Sequence, residues 1–344
     1  NRLNMQSLMN SFHWGLDNRI HGTASGTPGK VRVVGKPELG TVSFVRSDFS
    51  FDPRTLEFRL ENGGAQHGMD FDSAGRKFVC SNSHHIQQVM YEQRYAGANP
   101  NFMPQSPLVD IPVDGASAPV FRLSPDEAWR VIRTRWRVAK QVSGPVEGGG
   151  RPSGYFTAAT GATIYDGHAW PSGYSGDAFI ADAGSNLVHR KKLRSHGIKF
   201  TAQRPDDERD REFLASTDNW FRPVQMEVGP DGALYIADMY REVIEHPWSL
   251  PHGIKQHIDL DSGNDRGRIY RIVPETFVQS KLPRLGQATV GELVAMLDHP
   301  NGWHRSTAAR LLYERQDQAA VEPIRRLAKR GQTGLGRTVA NYSL

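Results

Sequence analysis

The residue types best suited to chemistry flank two strand-like runs between residues 221 and 240, FRPVQMEVGPDGALYIADMY. Arg222 precedes the first run, Asp238 ends the second, and Arg241 follows shortly after. A guanidinium group binds a carboxylate through two parallel hydrogen bonds, and a carboxylate can bind a metal ion or accept a proton. Two interpretations are open. Arg222 and Asp238 either lock neighbouring units together as a buried ion pair, or hold an anion and a metal in a ligand site.

The element that positions these residues is a hairpin, because Pro-Asp-Gly around Asp231 supplies the backbone angles of a tight turn. Three further segments repeat the order of short strand, turn and second strand, with turns at Asp17, Asp72 and Ser175. The first and last intervals between the four turns are nearly equal, and the middle one is close to double. A period of about 50 residues with about four strands per unit is typical of β-propeller blades.

We therefore predict a mainly β chain, with a β-propeller over residues 1–280 and a short α-helical segment over residues 281–344. Alternating runs such as Thr41–Pro53 supply the outer strands of the blades. The pattern of residues 126–150 fits either a strand pair or a short helix, and we predict an outer strand with an inserted loop. Beyond Pro283, apolar residues recur at helical spacing, as at the start of a HEAT-like repeat array. We expect the propeller to be incomplete at its N-terminus and the array to be truncated.

Propeller geometry predicts where ligand-binding side chains lie. Residues just before the innermost strand of a blade and just after its second strand share one rim, and the turn between those strands lies on the opposite rim. His67 is a candidate general base there, because the ordinary pKa of histidine lies near neutrality. A packed rim histidine is the alternative. The candidates on this rim are His67, Thr160, Arg222, Ser81, Asn82, Asp182, Asn186, Asp238 and Arg241.

Composition disfavours several other classes of protein. The net charge of +5 comes from scattered bases that form no stripe of the kind nucleic acid requires. No apolar run predicts a membrane span, and the single cysteine, Cys80, excludes an internal disulfide. The acidic segment at residues 259–268 matches a calcium loop weakly, because Tyr270 stands where the last ligand would be. His84 and His85 point to opposite faces of a strand and cannot bind one metal together.

Several long motifs occur in an order that resembles a known family. They include NSFHWGLDNRIHG, SGYFTAATGATIYDG, GDAFIADAGSNLVHR, FRPVQMEVGPDGALYIADMYREVIEHP and LDSGNDRGRIYRI, within residues 8–275. This pattern resembles the PVC-type membrane-bound dehydrogenase domain, which is related to the soluble quinoprotein glucose and sorbosone dehydrogenases. The resemblance implies a propeller of about six blades, followed by HEAT-like repeats and a cytochrome c domain that carries haem c.

The resemblance also implies an activity and a set of site residues. The implied enzyme oxidises a sugar or alcohol and passes electrons to a cytochrome c partner, in the periplasm or at the cell surface. Pyrroloquinoline quinone and calcium are the implied cofactors. The expected roles are catalytic for His67, cofactor-binding for Arg222, Arg241 and Asn186, and metal-binding for Asp238 and Asp182. Two alternatives remain: a non-catalytic propeller that binds carbohydrate or protein, and a calcium-dependent, lactonase-like hydrolase without a quinone.

Overall fold

The computed structural model describes residues 8–26, 28–99, 101, 103–279 and 281–344. Its strands are β1 (Asn10–Trp14), β2 (Ile20–Thr23), β3 (Gly29–Arg32), β4 (Thr41–Phe44), β5 (Asp48–Phe51), β6 (Phe58–Glu61), β7 (Met69–Phe71), β8 (Lys77–Ser81), β9 (His84–Val89), β10 (Leu108–Asp110), β11 (Ala159–Ile164), β12 (Ala178–Asp182), β13 (Leu187–His196), β14 (Lys199–Gln203), β15 (Leu214–Ala215), β16 (Pro223–Val228), β17 (Leu234–Asp238) and β18 (Arg268–Ile272). The prediction of a mainly β chain is confirmed.

The described strands form four antiparallel blades in chain order. Blade 1 has the order β1-β2-β5-β6, blade 2 has β7-β8-β9-β10, blade 3 has β11-β12-β13-β14, and blade 4 has β16-β17-β18. Strand β15 pairs with β13, and β3 with β4 forms a separate hairpin. The innermost strands β1, β7, β11 and β16 contact one another in this order. A propeller of four blades is therefore what the described residues form.

Tight turns join the first two strands of three blades, as the repeat predicted. Backbone hydrogen bonds close them from Gly15 to Arg19, from Asp72 to Arg76 and from Gly229 to Ala233. The Pro-Asp-Gly turn needs its glycine, because Gly232 has a φ of +79°. Blade 3 has a longer connection, which the hydrogen bond from the Tyr165 amide to the Asp177 carbonyl closes.

Apolar contacts between blades hold these sheets together. One cluster joins blades 2 and 3 through Phe78, Cys80, Phe156 and Ile180. A second joins blades 3 and 4, with side chains such as Phe179, Met226 and Ile236. Cys80 is fully buried, and burial raises the pKa of its thiol to about 12, so it stays an uncharged core residue.

Two predictions about local structure were wrong. Residues 126–150 contain a helix of three turns, α2 (Ala128–Val138), in place of the expected outer strand. Thr41–Pro53 is not one strand but belongs to β4 and β5, with Arg46 between them at a φ of +50°. The helices are α1 (Gln93–Ala96), α2 (Ala128–Val138), α3 (His252–Lys255), α4 (Val290–Met296), α5 (Gly302–Arg315), α6 (Val321–Arg330) and α7 (Gly334–Tyr342). Short 3-10 helices lie at Pro37–Leu39, Gly148–Gly150, Ser172–Tyr174, Asp206–Glu208, Pro247–Ser249, Leu285–Gln287 and Gln318–Ala320.

The helices α4 to α7 share an apolar core of their own and dock on the turn side of the blades. Arg305 of α5 donates to the Ser73 hydroxyl at 2.7 Å and to the Asp166 carboxylate at 3.3 Å. The Asn301 side chain donates to the Gly229 carbonyl at 3.0 Å. The helical segment thereby covers the rim opposite the predicted ligand rim. Its assignment as a HEAT-like array, and the boundary at residue 280, stay predictions. Among the described residues, no helix has the length and apolarity to cross a membrane.

Candidate functional site

A cavity of about 730 Å³ opens at the rim opposite the hairpin turns. Side chains from all four blades line it: Asn10 to His13 of blade 1, His67 and Asn82 of blade 2, Thr160 of blade 3, and Val224 and Glu227 of blade 4. The loop after β17 adds Met239, Arg241 and Glu245. We call this the central cavity. Its volume lies within the range of about 300–1,000 Å³ that small-molecule sites have in proteins.

His67 lies just before β7, and the structure brings it to the central cavity as the rim geometry predicted. Its backbone is fixed between two blades: the amide donates to the Cys80 carbonyl at 3.3 Å, and its carbonyl accepts from the Gly161 amide at 2.9 Å. Its imidazole forms no hydrogen bond or ion pair with any residue that the structure describes. Burial lowers the pKa of His67 to about 4, so the ring is neutral at neutral pH. A ring nitrogen is therefore free to accept a hydrogen bond or a proton from a ligand.

Arg241 is the second of the six predicted site residues that lines the central cavity. Its Nη1 donates to the Asp261 carbonyl at 3.0 Å. Nearby, Glu245 lines the same wall and pairs with Arg133 at 2.7 Å. Burial alone would raise the pKa of Glu245, but the Arg133 guanidinium holds it below its usual range. This wall gives a polar ligand both a donor and an acceptor.

Four residues at equivalent positions form a belt at the inner end of the central cavity. In each blade, a backbone amide closes the connection between the first two strands, and the belt residue lies two positions before that amide. The belt residues are His13, Asp70, Thr163 and Glu227. All four line a second cavity of about 320 Å³ that reaches the helices α5 and α7. His13 and Glu227 line both cavities, so the belt lies where the two meet.

The belt holds two carboxyl groups with raised pKa values. Burial raises the pKa of Asp70 to about 8 and that of Glu227 to about 7. His13 Nδ1 lies 3.5 Å from Asp70 Oδ1, and burial lowers the pKa of this histidine. Glu227 is accessible to solvent from the cavities, although protein atoms surround it densely. At neutral pH, Asp70 is mostly protonated and Glu227 is close to its midpoint.

Arg222 does not line the central cavity, and its side chain is completely buried. Its Nη2 donates to the Glu127 carboxylate and to the Glu242 carbonyl, each at 2.6 Å. Its Nη1 donates to the Ala183 carbonyl at 3.0 Å, and its Nε to the Arg241 carbonyl at 2.9 Å. All three nitrogens are thus engaged by the protein. This geometry favours a lock between segments of the fold over the predicted clamp on a quinone.

Asp238 and Asp182 occupy equivalent positions at the ends of β17 and β12. Asp238 Oδ1 accepts from the backbone amides of Arg222 at 2.7 Å and Tyr240 at 2.8 Å. The carboxylate of Asp182 accepts from the amides of Thr157, Gly184 and Ser185 at 2.9–3.1 Å. Both carboxylates thus tie the end of a strand to the neighbouring backbone, away from the central cavity. The alternative of an Arg222–Asp238 ion pair between side chains was wrong, because the pair forms through the backbone amide.

Asn186 also lies behind the rim. It is fully buried, and its Nδ2 donates to the carbonyls of Asn219 at 3.0 Å and Phe221 at 2.6 Å. Its Oδ1 accepts from the Ser124 hydroxyl at 2.7 Å. The side chain joins three segments of the protein and presents no group to the central cavity.

The central cavity does not fit the cofactors that the resemblance implies. Pyrroloquinoline quinone carries several carboxylates, yet Arg241 is the one arginine among the described residues that lines the cavity, alongside Glu227, Glu245 and Asp261. Calcium needs six or more oxygen ligands. Within the described ranges, no group of three or more His, Cys, Asp or Glu side chains is arranged to hold a metal.

The sequence contained a signal for the belt that rim geometry alone did not use. When the repeats are aligned by the amides of Gly15, Asp72, Tyr165 and Gly229, one column holds the titratable residues His13, Asp70 and Glu227, with Thr163 in the remaining blade. Inner strands point alternate side chains towards the propeller axis. A polar residue at the same place in several inner strands therefore predicts a polar axis. Glu127, which binds Arg222, gave no such signal, because it lies outside the repeats.

Comparisons with known proteins complete the description of the chain. The sequence profile of a family described as a domain of unknown function, DUF7133, matches residues 1–276. Curated proteins gave no sequence match.

Three solved structures resemble the fold at low identity. Two glucose dehydrogenases are 12% and 13% identical to this chain, each with a TM-score of 0.31. Each alignment covers 68% of this chain, and the two cover 80% and 79% of the respective glucose dehydrogenase chains. A candidate gluconolactonase is 15% identical at a TM-score of 0.23, over 62% of this chain and 73% of its own. Likenesses of this size assign neither a substrate nor a cofactor to this chain.

Proposed function

Since this chain belongs to the DUF7133 family, whose function is unknown, we propose a function from the central cavity: it binds a sugar or an alcohol, with a hydroxyl group of the ligand against His67. One observation carries this proposal. The His67 imidazole is neutral, lacks a partner among the described residues, and lines a cavity of about 730 Å³ to which all four blades contribute.

The lining suits a ligand rich in hydroxyl groups. Hydroxyls donate and accept hydrogen bonds, so they can pair with a neutral imidazole, a guanidinium and carboxylates at the same time. The cavity offers these groups through His67, Arg241 and Glu227, and Phe12 adds an apolar face. The carboxylates outnumber the arginine, which disfavours a ligand with several negative charges.

Oxidation of the bound alcohol is a second candidate function, and the position of His67 favours it. A neutral imidazole can take the proton of a hydroxyl while a diffusible two-electron acceptor takes the hydride from the carbon. The PVC-type dehydrogenase resemblance points in the same direction, but the residues do not fit its quinone as a bound cofactor, so we propose that the hydride acceptor is a diffusible molecule. The cytochrome c partner and the periplasmic or cell-surface location follow from that resemblance alone and stay predictions.

A binding screen with a cavity-filling variant tests the proposal. The purified chain is titrated with a panel of neutral sugars and alcohols, and binding is followed by the shift in thermal unfolding. At least one sugar or alcohol is expected to raise the unfolding temperature in a saturable way. Val224→Trp, which fills the cavity, is expected to abolish the shift, whereas Val34→Trp, at a side chain that is 92% exposed, leaves it unchanged.

Two results would contradict the proposal. One is the absence of any shift with a folded wild-type protein across the whole panel. The other is a ligand whose shift is the same in Val224→Trp and in the wild type, since that ligand would bind elsewhere.

A further inference from the structure

One face of α2 carries a row of buried arginines. Arg130, Arg133 and Arg137 are spaced three and four residues apart, so they lie on the same side of the helix. Their side chains are only 5%, 5% and 9% exposed. Together with Thr134, Tyr155 and Thr157, they line a small pocket of about 10 Å³. A pocket of this size holds one small particle at most, such as a water molecule or a single ion.

Several of the guanidinium donors around this pocket have no acceptor in the described part of the chain. The Nε atoms of Arg133 and Arg137 are buried without a hydrogen-bond partner. Arg137 otherwise donates only to backbone carbonyls, those of Ser249 at 3.2 Å and Pro145 at 3.5 Å. Among the described residues, the one acceptor of Arg130 is the Glu127 carboxylate, 3.0 Å from its Nε. A buried charged donor without an acceptor is costly, so the pocket favours an acceptor that the chain does not supply.

The carboxylates of Glu127, Glu245 and Asp182 already have partners, which are either one of these arginines or backbone amides. Glu127 is divided between Arg130 and Arg222, which lie 3.0 and 2.6 Å from its oxygens. Glu245 pairs with Arg133 at 2.7 Å. The Asp182 carboxylate accepts three backbone amides.

Glu147 is the one carboxylate that lines the pocket itself. No ion pair joins it to an arginine within the described ranges, and its side chain is only half-buried. Arg137 is therefore left without a carboxylate partner among the described residues. Burial, followed by the charge of Arg133, lowers the pKa of Arg137.

We propose that this pocket binds one small monovalent anion of the size of chloride, held by Arg130, Arg133 and Arg137. Such an ion accepts hydrogen bonds from several guanidinium groups at once. Unlike a water molecule, it also offsets their positive charge. Because Arg133 also pairs with Glu245 in the wall of the central cavity, the ion holds that wall in place. This site is separate from the proposed sugar site and does not depend on it.

Thermal unfolding in two salts tests the proposal. Sodium chloride replaces sodium gluconate stepwise at constant ionic strength, since gluconate is too large for the pocket. The unfolding temperature is expected to rise with chloride and to level off at saturation. Arg137→Gln should abolish the chloride-dependent rise. Arg135→Gln, on the exposed face of the same helix, is the matched control and should keep it. An equal unfolding temperature in both salts would overturn the proposal.

A second measurement applies to the wild-type protein alone, in case Arg137→Gln does not fold. Bound chloride broadens the chlorine-35 NMR line, and bromide should displace it with competitive dependence on concentration. Saturable broadening that bromide removes would support the site. A line width that is unchanged by the protein would show that the pocket holds water and would overturn the proposal.

Discussion

The Arg222 side chain donates to the Glu127 carboxylate at 2.6 Å, whereas the Asp238 carboxylate accepts from the backbone amide of Arg222, at 2.7 Å, and not from its guanidinium. This relationship ties the start of β16 to the segment just before α2, which is distant in sequence. It also separates two predicted site residues from the central cavity. A separate hydrogen bond from Arg222 Nε to the Arg241 carbonyl, at 2.9 Å, holds the loop after β17 beside the start of β16.

Arg222→Ala is expected to destabilise the fold. The substitution removes the shortest ion pair of the buried Glu127 carboxylate, leaving Arg130 at 3.0 Å and Arg122 at 4.0 Å, and it takes the donor from three carbonyls. Breaking a buried ion pair on one side costs about 3–5 kcal/mol of the free energy of unfolding. Urea unfolding of the variant measures this loss. Arg135→Ala, at an exposed position of α2, is the control and should stay within about 0.5 kcal/mol of the wild type. If the Arg222→Ala protein were as stable as the wild type but no longer bound the ligand, the predicted role of Arg222 in ligand binding would be supported instead.

Stability should fall on acidification because His85 is buried in its neutral form. Burial, followed by the nearby His189 and Lys191, lowers the pKa of His85 to about 3, against about 6.5 in the unfolded chain. Below pH 6.5 the unfolded state therefore binds more protons than the folded state, and stability is lost progressively as the pH falls from there towards 3. Urea midpoints measured between pH 4 and 8 should drop less steeply for His85→Gln than for the wild type.

The neighbouring histidine provides the control for this pH dependence. His84 is exposed and lies 2.8 Å from Asp110 at the protein surface. His84→Gln should therefore reproduce the slope of the wild type closely. A His85→Gln slope equal to that of the wild type would contradict the assignment of the acid sensitivity to His85.

Glu227→Gln is expected to change the pH dependence in the opposite sense. Burial raises the pKa of Glu227 from 4.5 to about 7 in the folded protein. Between these values the folded state binds more protons than the unfolded state, so wild-type stability falls as the pH rises through this window. The neutral glutamine removes this fall. The free energy of unfolding of the variant should therefore rise relative to that of the wild type between pH 4.5 and about 7. Above pH 7 the difference between the two proteins should stay constant. Parallel urea midpoint curves for the two proteins would refute a raised pKa at this position.

Sequence patterns were sufficient for the blades because each blade repeats a local rule. Turns such as Asp72 and Asp231 require particular backbone angles, and alternating runs follow the period of a strand. A short helix was one of two alternatives for the segment of α2, and the strand was preferred for a physical reason. The buried residues of α2 are Trp129 and the arginines at positions 130, 133 and 137, whereas sequence analysis looks for apolar residues on the face of a helix that packs inside.

The site was harder to predict because its residues are selected by contacts between blades. The rim geometry selected His67 and Arg241, and both line the central cavity. It also selected Asp182 and Asn186, which satisfy backbone groups of neighbouring segments. A side chain that binds backbone and one that faces a ligand occupy the same place in the repeat. Only the three-dimensional contacts distinguish them.

The most direct test of the account is calorimetric titration of the wild type and of His67→Ala with the tightest-binding sugar or alcohol from the screen. A hydroxyl held against the His67 ring predicts at least a tenfold weaker affinity in the variant, which corresponds to about 1.4 kcal/mol. His196→Ala, at an exposed histidine on β13, should bind like the wild type. Equal affinities for the wild type and a folded His67→Ala protein would contradict the central claim that His67 contacts the ligand.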